Sequence, residues 1–166
     1  MIKQTKQMDE QQALGKLAAM CSKAEHSSGE IIKKMRQWQL PEDVQQRILQ
    51  RLTDDRYVDN VRFCRSFVRE KICFDKWGRR KIEQALYIKG VAKTIYSPIL
   101  DEVDDGEYVR ALRPLITAKS KSISAASEYE LNGKLIRFAL GRGFGMDIIR
   151  QCIDSDDKYD IPEDND

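Results

Sequence analysis

Histidine is almost missing from this chain: His26 is the only one in 166 residues. A zinc site would therefore need an unusual ligand set, and none of the four cysteines (Cys21, Cys64, Cys73, Cys152) forms a Cys-x-x-Cys pair. Cys21, Cys64 and Cys152 fall on apolar helical stripes, where a reduced cysteine acts as a small hydrophobe. That usage fits a reducing cytosol and not a disulfide framework. Long apolar runs are missing too. The longest covers residues 17–21, far short of a membrane span, and the opening Met1-Ile2-Lys3-Gln4-Thr5-Lys6 lacks the apolar core of a secretory signal. A cytoplasmic protein without membrane contact is expected. Four prolines and nine glycines are too few for a fibrous or disordered chain.

The motifs of metal and cofactor chemistry are also missing. There is no Asp-x-Asp-x-Asp-Gly calcium loop, and Gly141-Arg142-Gly143-Phe144-Gly145 has no strand before it to make it a phosphate loop. His26 and Ser27 precede a helix and are explained by capping. An enzyme working through Cys64 or His26 is the weakest reading, and no catalytic residue, metal or cofactor is assigned.

What the chain does have is helical periodicity, with no strand-like alternation. Leu14, Leu17, Ala18 and Cys21 follow the i, i+3, i+4, i+7 rule, predicting a first helix that ends near His26. Ser27 and Glu30 make a capping box for a second helix, with Ile31, Met35 and Trp38 inward. Pro41 suits the first turn of a third, which carries Val44, Ile48 and Leu52. In the middle of the chain Val61, Cys64, Val68 and Ile72 form one stripe, with Phe63 and Phe67 beside it. Tyr108, Val109, Leu112, Leu115 and Ile116 predict a helix in which Pro114 sits in the first turns or makes a kink.

This trio recurs. Aligning Leu40 with Val91 and Phe144 brings Ile31, Ile82 and Leu135 together, then Val44, Ile95 and Ile148, then Ile48, Ile99 and Cys152. Gln39, Gly90 and Gly143 precede the aligned residue, and the glycines suit a left-handed turn between two helices. The expected fold is all-α: three tandem three-helix repeats, helix-turn-helix-like, in an elongated and curved array. The expected organisation is a flexible segment 1–9, repeats at 10–54, 55–105 and 106–154, and an acidic disordered tail at 155–166.

Charge is distributed unevenly. Residues 62–93 hold ten Lys/Arg against three acids, and residues 154–166 hold seven acids and one lysine. Such asymmetry suggests a basic surface for an acidic partner beside an acidic tail. The basic run is read either as a solvated helical face or as a contact for nucleic-acid phosphates or an acidic protein groove. Lys76, Arg79, Arg80 and Lys81 gather at a helix start, where they oppose the helix dipole, which favours a functional role. Trp77 beside them could stack on a base or pack between repeats. The candidate contact residues are Arg62, Arg65, Arg69, Lys76, Arg79, Arg80, Lys81 and Lys89, with Arg137 and Arg142 in the third repeat.

Several of these stretches together resemble the RecX family of bacterial regulators of the RecA recombinase. His26-Ser27-Ser28-Gly29-Glu30-Ile31 is similar to the family's His-Ser-x-x-Glu-Leu, and Tyr57-Val58-Asp59-Asn60-Val61-Arg62-Phe63 to Tyr-Leu-Asp-Asp-x-x-Phe. Lys76-Trp77-Gly78-Arg79-Arg80-Lys81-Ile82 through Lys89-Gly90-Val91 resembles Lys-Gly-x-x-x-Ile through Lys-Gly-Ile, and Arg142-Gly143-Phe144 matches an Arg-Gly-Phe element. The sequence departs from the pattern at Arg56 and Gln39, where glycine is usual, and at Asn60, where aspartate is. The resemblance implies a non-enzymatic helical protein, a monomer. It would lie along the RecA filament on DNA and restrain ATP hydrolysis, filament growth and strand exchange in recombination and DNA repair. Some family members also bind DNA, single- or double-stranded. The alternative is a basic nucleic-acid-binding module that acts without RecA.

Overall fold

A computed structural model of the chain describes residues 7–153; the segments 1–6 and 154–166, including the expected acidic tail, lie outside the described residues. Within them the backbone forms nine helices and no strand. The first trio is α1 (Glu10–Lys23), α2 (Ser28–Gln37) and α3 (Glu42–Asp54). Asp9 opens α1 through a capping box with Gln12 that sequence reading overlooked, and Ser27 opens α2 through the expected box with Glu30. Two expectations shift slightly. α1 stops at Lys23, where Ala24 turns extended, and Pro41 is the cap before α3 and not part of its first turn.

The second trio is α4 (Asn60–Cys73), α5 (Arg79–Ile88) and α6 (Lys93–Asp101). Its inward stripe differs from expectation at one end. Phe63, Cys64, Phe67, Val68 and Ile72 are all buried, whereas Val61 is 44% exposed. Asp59 caps α4, its carboxylate accepting from the Arg62 N–H, so Val61 sits in the first turn, on the face of Cys64 and Val68 but at the exposed end of the helix. The third trio is α7 (Asp105–Ser122), α8 (Glu128–Gly141) and α9 (Met146–Cys152). Pro114 is interior to α7, not in its first turns, and the helix continues to Ser122. An exposed position lets the ring face solvent.

The repeat register is visible in the helix bounds. α5 begins and ends 51 residues after α2, and α6 begins 51 after α3; α8 ends, and α9 begins, 53 residues after its counterpart. Ile31, Ile82 and Leu135 are all buried, as are Leu40, Val91 and Phe144. The turn before the last three has positive φ each time: 57° at Gln39, 75° at Gly90 and 92° at Gly143. Glycine meets that demand freely, and glutamine does so at a steric cost.

Two apolar cores result. One belongs to the first trio and includes Leu17, Ile31, Met35, Ile48, Leu52 and Val58. The other is shared by the second and third trios, with Phe63, Ile82, Leu112, Leu135 and Ile149 among its members. α4 packs on α6 and α7, and α7 on α9.

Adjacent trios meet at a joint that is built twice. At the first, Ser27 Oγ donates to the Lys89 carbonyl at 2.6 Å. Ser28 N–H donates to Asn60 Oδ1 at 2.9 Å, and Asn60 Nδ2 returns a bond to Ser28 Oγ at 2.8 Å. At the second, Gly78 N–H donates to the Arg142 carbonyl at 2.9 Å and Arg80 N–H to the Gly143 carbonyl at 3.1 Å. Ser27 and Gly78 are repeat equivalents, as are Lys89 and Arg142. Each joint thus seats the start of one trio's middle helix on the last turn of the next. Both demand close backbone approach: a Cβ on Gly29 would stand 2.3 Å from the Lys89 oxygen, and one on Gly78 2.3 Å from the Gly143 carbonyl carbon.

Candidate partner-binding faces

The long basic run does not form one patch. The fold divides it among a groove, a helix face and the joints.

The groove lies between α4, the end of α6 and α7, with a volume of about 480 Å³. Ile72, Ile99 and Ala111 are among the residues forming its floor, and Arg65, Arg69, Lys76 and Arg110 stand around it. The spacing of α4 explains the first two: with Val68 and Ile72 turned inward, Arg65 and Arg69 fall one turn apart at the edge of the buried stripe. Lys76 follows in the loop, at φ 57°. Glu102 and Glu107 also line the groove. Arg65 bonds Glu102 at 3.1 Å, so its charge is partly answered. Arg69, Lys76 and Arg110 have no ion-pair partner among the described residues. Arg110 was missed in the sequence because it lies outside the basic run. Its signal is a lone arginine between two pairs of buried residues, Tyr108–Val109 and Ala111–Leu112.

The second face belongs to α5. Arg79 bonds Glu83 at 2.8 Å and Asp101 at 2.7 Å. Those carboxylates, Glu83 first, hold the guanidinium above its usual range and offset the unfavourable helix dipole. Arg80 is exposed. With Glu83, Gln84, Tyr87, Ile88 and Tyr96 it borders a second open depression of about 550 Å³. Tyr87 and Ile88 are 76% and 82% exposed, an apolar step that sequence periodicity gave no reason to single out. Exposed apolar side chains beside a basic group are common at contact surfaces.

The remaining candidates, apart from Arg137, are engaged within the fold. Arg62 bonds Glu25 of the first trio at 2.6 Å. Lys89 faces Glu30 at 3.7 Å and lies over the Phe67 ring. Lys81 and Lys71 sit 4.5 and 4.8 Å from the Trp77 ring centre, and Trp77 packs against the shared core. The guanidinium of Arg142 donates to the backbone carbonyls of Lys76, at 3.1 Å, and of Asp75. Its charge serves the second joint. Arg137 is exposed on α8, away from both depressions.

The residues considered for chemistry are placed otherwise. His26 Nδ1 pairs with Glu30 at 3.4 Å. Cys64 is fully buried, and burial pushes its thiol up to about 11, the reverse of an activated nucleophile. Among the described residues, no helix is long and apolar enough to cross a membrane.

Comparison with known proteins accounts for this architecture. Residues 59–96 match the family model of the second three-helix domain of RecX, and residues 106–153 that of the third. The chain is 27% identical over 124 residues to the Regulatory protein RecX of Finegoldia magna, covering 74% of this chain and 60% of that protein. It is 26% identical over 147 residues to that of Chlorobium phaeobacteroides, covering 88% and 94%. With the Lactobacillus johnsonii relative the match spans 45% of the relative's length, so the chain corresponds to about half of some curated relatives. The crystal structure of RecX from Lactobacillus salivarius superposes with a TM-score of 0.79 at 22% identity, over 86% of this chain and 93% of that one. Matched in two successive domains that together exceed half its length, and built over its described residues as nine helices in three trios, this chain belongs to the RecX family of regulatory proteins.

Proposed function

We propose that the chain regulates the RecA recombinase by binding its nucleoprotein filament and restraining ATP hydrolysis, extension and strand exchange. Family membership supports the regulatory role. The observation that carries the binding mode is the groove between α4 and α7, where Arg69, Lys76 and Arg110, with no ion-pair partner among the described residues, stand around an apolar floor. Such a surface meets acidic protein side chains or phosphates and lets an apolar group settle between them. Arg80 with Tyr87 and Ile88 on α5 supplies a second contact. Binding that favours one arrangement of neighbouring RecA protomers over the extending one shifts the filament by that difference in affinity.

The test is a titration of the protein into RecA assembled on single-stranded DNA, following ATP turnover and filament length together. Both should fall with added protein, and R69E/R110E should need more protein for the same effect. Unchanged ATP turnover and filament length at saturation would refute the proposal. A nucleic-acid module acting without RecA is favoured by one observation, Arg69 and Arg110 on one groove with no ion-pair partner among the described residues. It requires tight, steeply salt-dependent binding to naked DNA; binding to the filament but not to free DNA rejects it.

A further inference from the structure

We propose that the α4–α7 groove is a socket for one apolar side chain carried between two carboxylates, so that it takes a short acidic segment of a protein and not a nucleic acid. This rests on the groove being the partner-binding face, and it names what that face accepts.

The floor sets the apolar half. Val68, Ile72, Ile99 and Ala111 are each between 2% and 7% exposed. They already belong to the core of the second and third trios and leave only a small part of their surface to the groove. Such a floor covers one side chain and not the whole stripe of a helix. The space of about 480 Å³ above it suits a single large residue with its backbone.

The rim sets the charge. Arg65, Arg69, Lys76 and Arg110 stand against Glu102 and Glu107, an excess of two positive charges. Two carboxylates balance that excess. The unbroken charge of a nucleic-acid backbone overshoots it and brings phosphates against both glutamates. The fold already seats one carboxylate on this rim: Glu102 accepts from Arg65 at 3.1 Å, with both side chains more than half exposed. Arg69 lies one turn further along α4, Lys76 follows in the loop, and Arg110 stands on α7. None of these three has an ion-pair partner among the described residues. The two helix walls are about 10 Å apart, the spacing of packed helices. Acid, apolar and acid at alternate positions of an extended segment share one face and span about 13 Å, enough to reach both.

Bases find no seat here either. No aromatic ring is among the described residues lining the groove, whereas single-stranded nucleic acid is held largely by stacking. Tyr87 and Tyr96 border the other depression, on α5 and α6.

The experiment titrates the acetylated, amidated peptide Ser-Glu-Ser-Leu-Ser-Glu-Ser into the full chain at low salt and follows the methyl signals of Ile72, Ile99 and Val103 by NMR. Exposed ion pairs contribute little each, so a Kd of about 1 mM is expected, within reach of such a titration. All three methyls should shift. Replacing the peptide's leucine by serine should weaken binding about tenfold, a comparison that requires no variant of the protein. R69E/R110E should abolish the shifts, and E102Q, which releases Arg65, should tighten the peptide about two- to fivefold. A thymidine oligonucleotide of equal length should leave the methyls in place. Unmoved methyls at peptide concentrations about tenfold above that Kd would overturn the proposal. So would equal affinity for the leucine and serine peptides, or displacement of the peptide by the oligonucleotide. Methyl shifts that grow with protein concentration alone would assign the groove to a second copy and overturn it equally. The socket fails by itself if the peptide does not bind while RecA's ATP turnover still falls with added protein; the filament reading fails by itself in the opposite case.

Discussion

Replacing Gly78 by alanine is the sharpest test of how the trios are joined. Its φ is −85°, which alanine adopts without strain, so any loss must come from contact and not from the backbone. The added carbon would stand 2.3 Å from the Gly143 carbonyl carbon and the Phe144 nitrogen, both backbone atoms that cannot rotate aside. The joint has to open by about 1 Å to reach ordinary contact. Overpacking of that kind costs about 1–3 kcal/mol. Opening also weakens the Gly78–Arg142 and Arg80–Gly143 bonds, each contributing about 0.5–1.5 kcal/mol. The expected loss is about 2–5 kcal/mol, or a fall in Tm of roughly 5–15 °C for a chain of this size. Gly133→Ala is the matched control: it lies inside α8 with nothing within 4 Å of the new carbon. That change should stabilise by about 0.5–1 kcal/mol through helix propensity. Urea unfolding followed by circular dichroism gives both values from the shift in midpoint at constant slope. A G78A protein within about 0.5 kcal/mol of the native chain would refute the joint as described.

Gln39 and Arg56 hold φ of 57° and 61°, so Q39G and R56G should each stabilise the chain by up to about 1 kcal/mol, read as a higher urea midpoint. Asn60→Ala removes both bonds to Ser28 and should lower stability by about 1–3 kcal/mol, read by the same unfolding curves. Burial raises the thiol of Cys64 to about 11 and the phenol of Tyr108 to about 12, and raises the thiols of Cys21 and Cys152 as well. Above pH about 9 the unfolded chain loses these protons first, so stability falls as pH rises from about 9 towards 11. A urea midpoint at pH 10 equal to that at pH 8 would contradict this. Charge reversal at Arg80, or at Arg69 and Arg110 singly, should weaken filament binding only about two- to fivefold, as expected of exposed charges, and the effect should shrink with salt.

Much of the fold was written in local patterns. The capping box at Ser27, the glycines at 90 and 143 and the apolar columns through Ile31, Ile82 and Leu135 each follow from a spacing rule. Positions 39, 56 and 76 were harder, because a left-handed residue that is not glycine leaves no mark in composition. The candidate surface was only half legible. Charge can be counted along a chain, but whether Arg142 points at a partner or at the carbonyls of Asp75 and Lys76 depends on a turn 66 residues away. Arg110 joins Arg69 only once α7 has packed on α4.

The first trio has an apolar core of its own and touches its neighbour through Ser27, Ser28 and Asn60, the Arg62–Glu25 and Lys89–Glu30 pairs, and the approach of Gly29 to the Lys89 backbone. Ser27 is fully buried in this contact, and the two apolar clusters on either side of it share no residue. The other two trios cannot part without breaking a single core. The first joint is therefore held by polar contacts and close backbone approach, the second by these and by shared hydrocarbon.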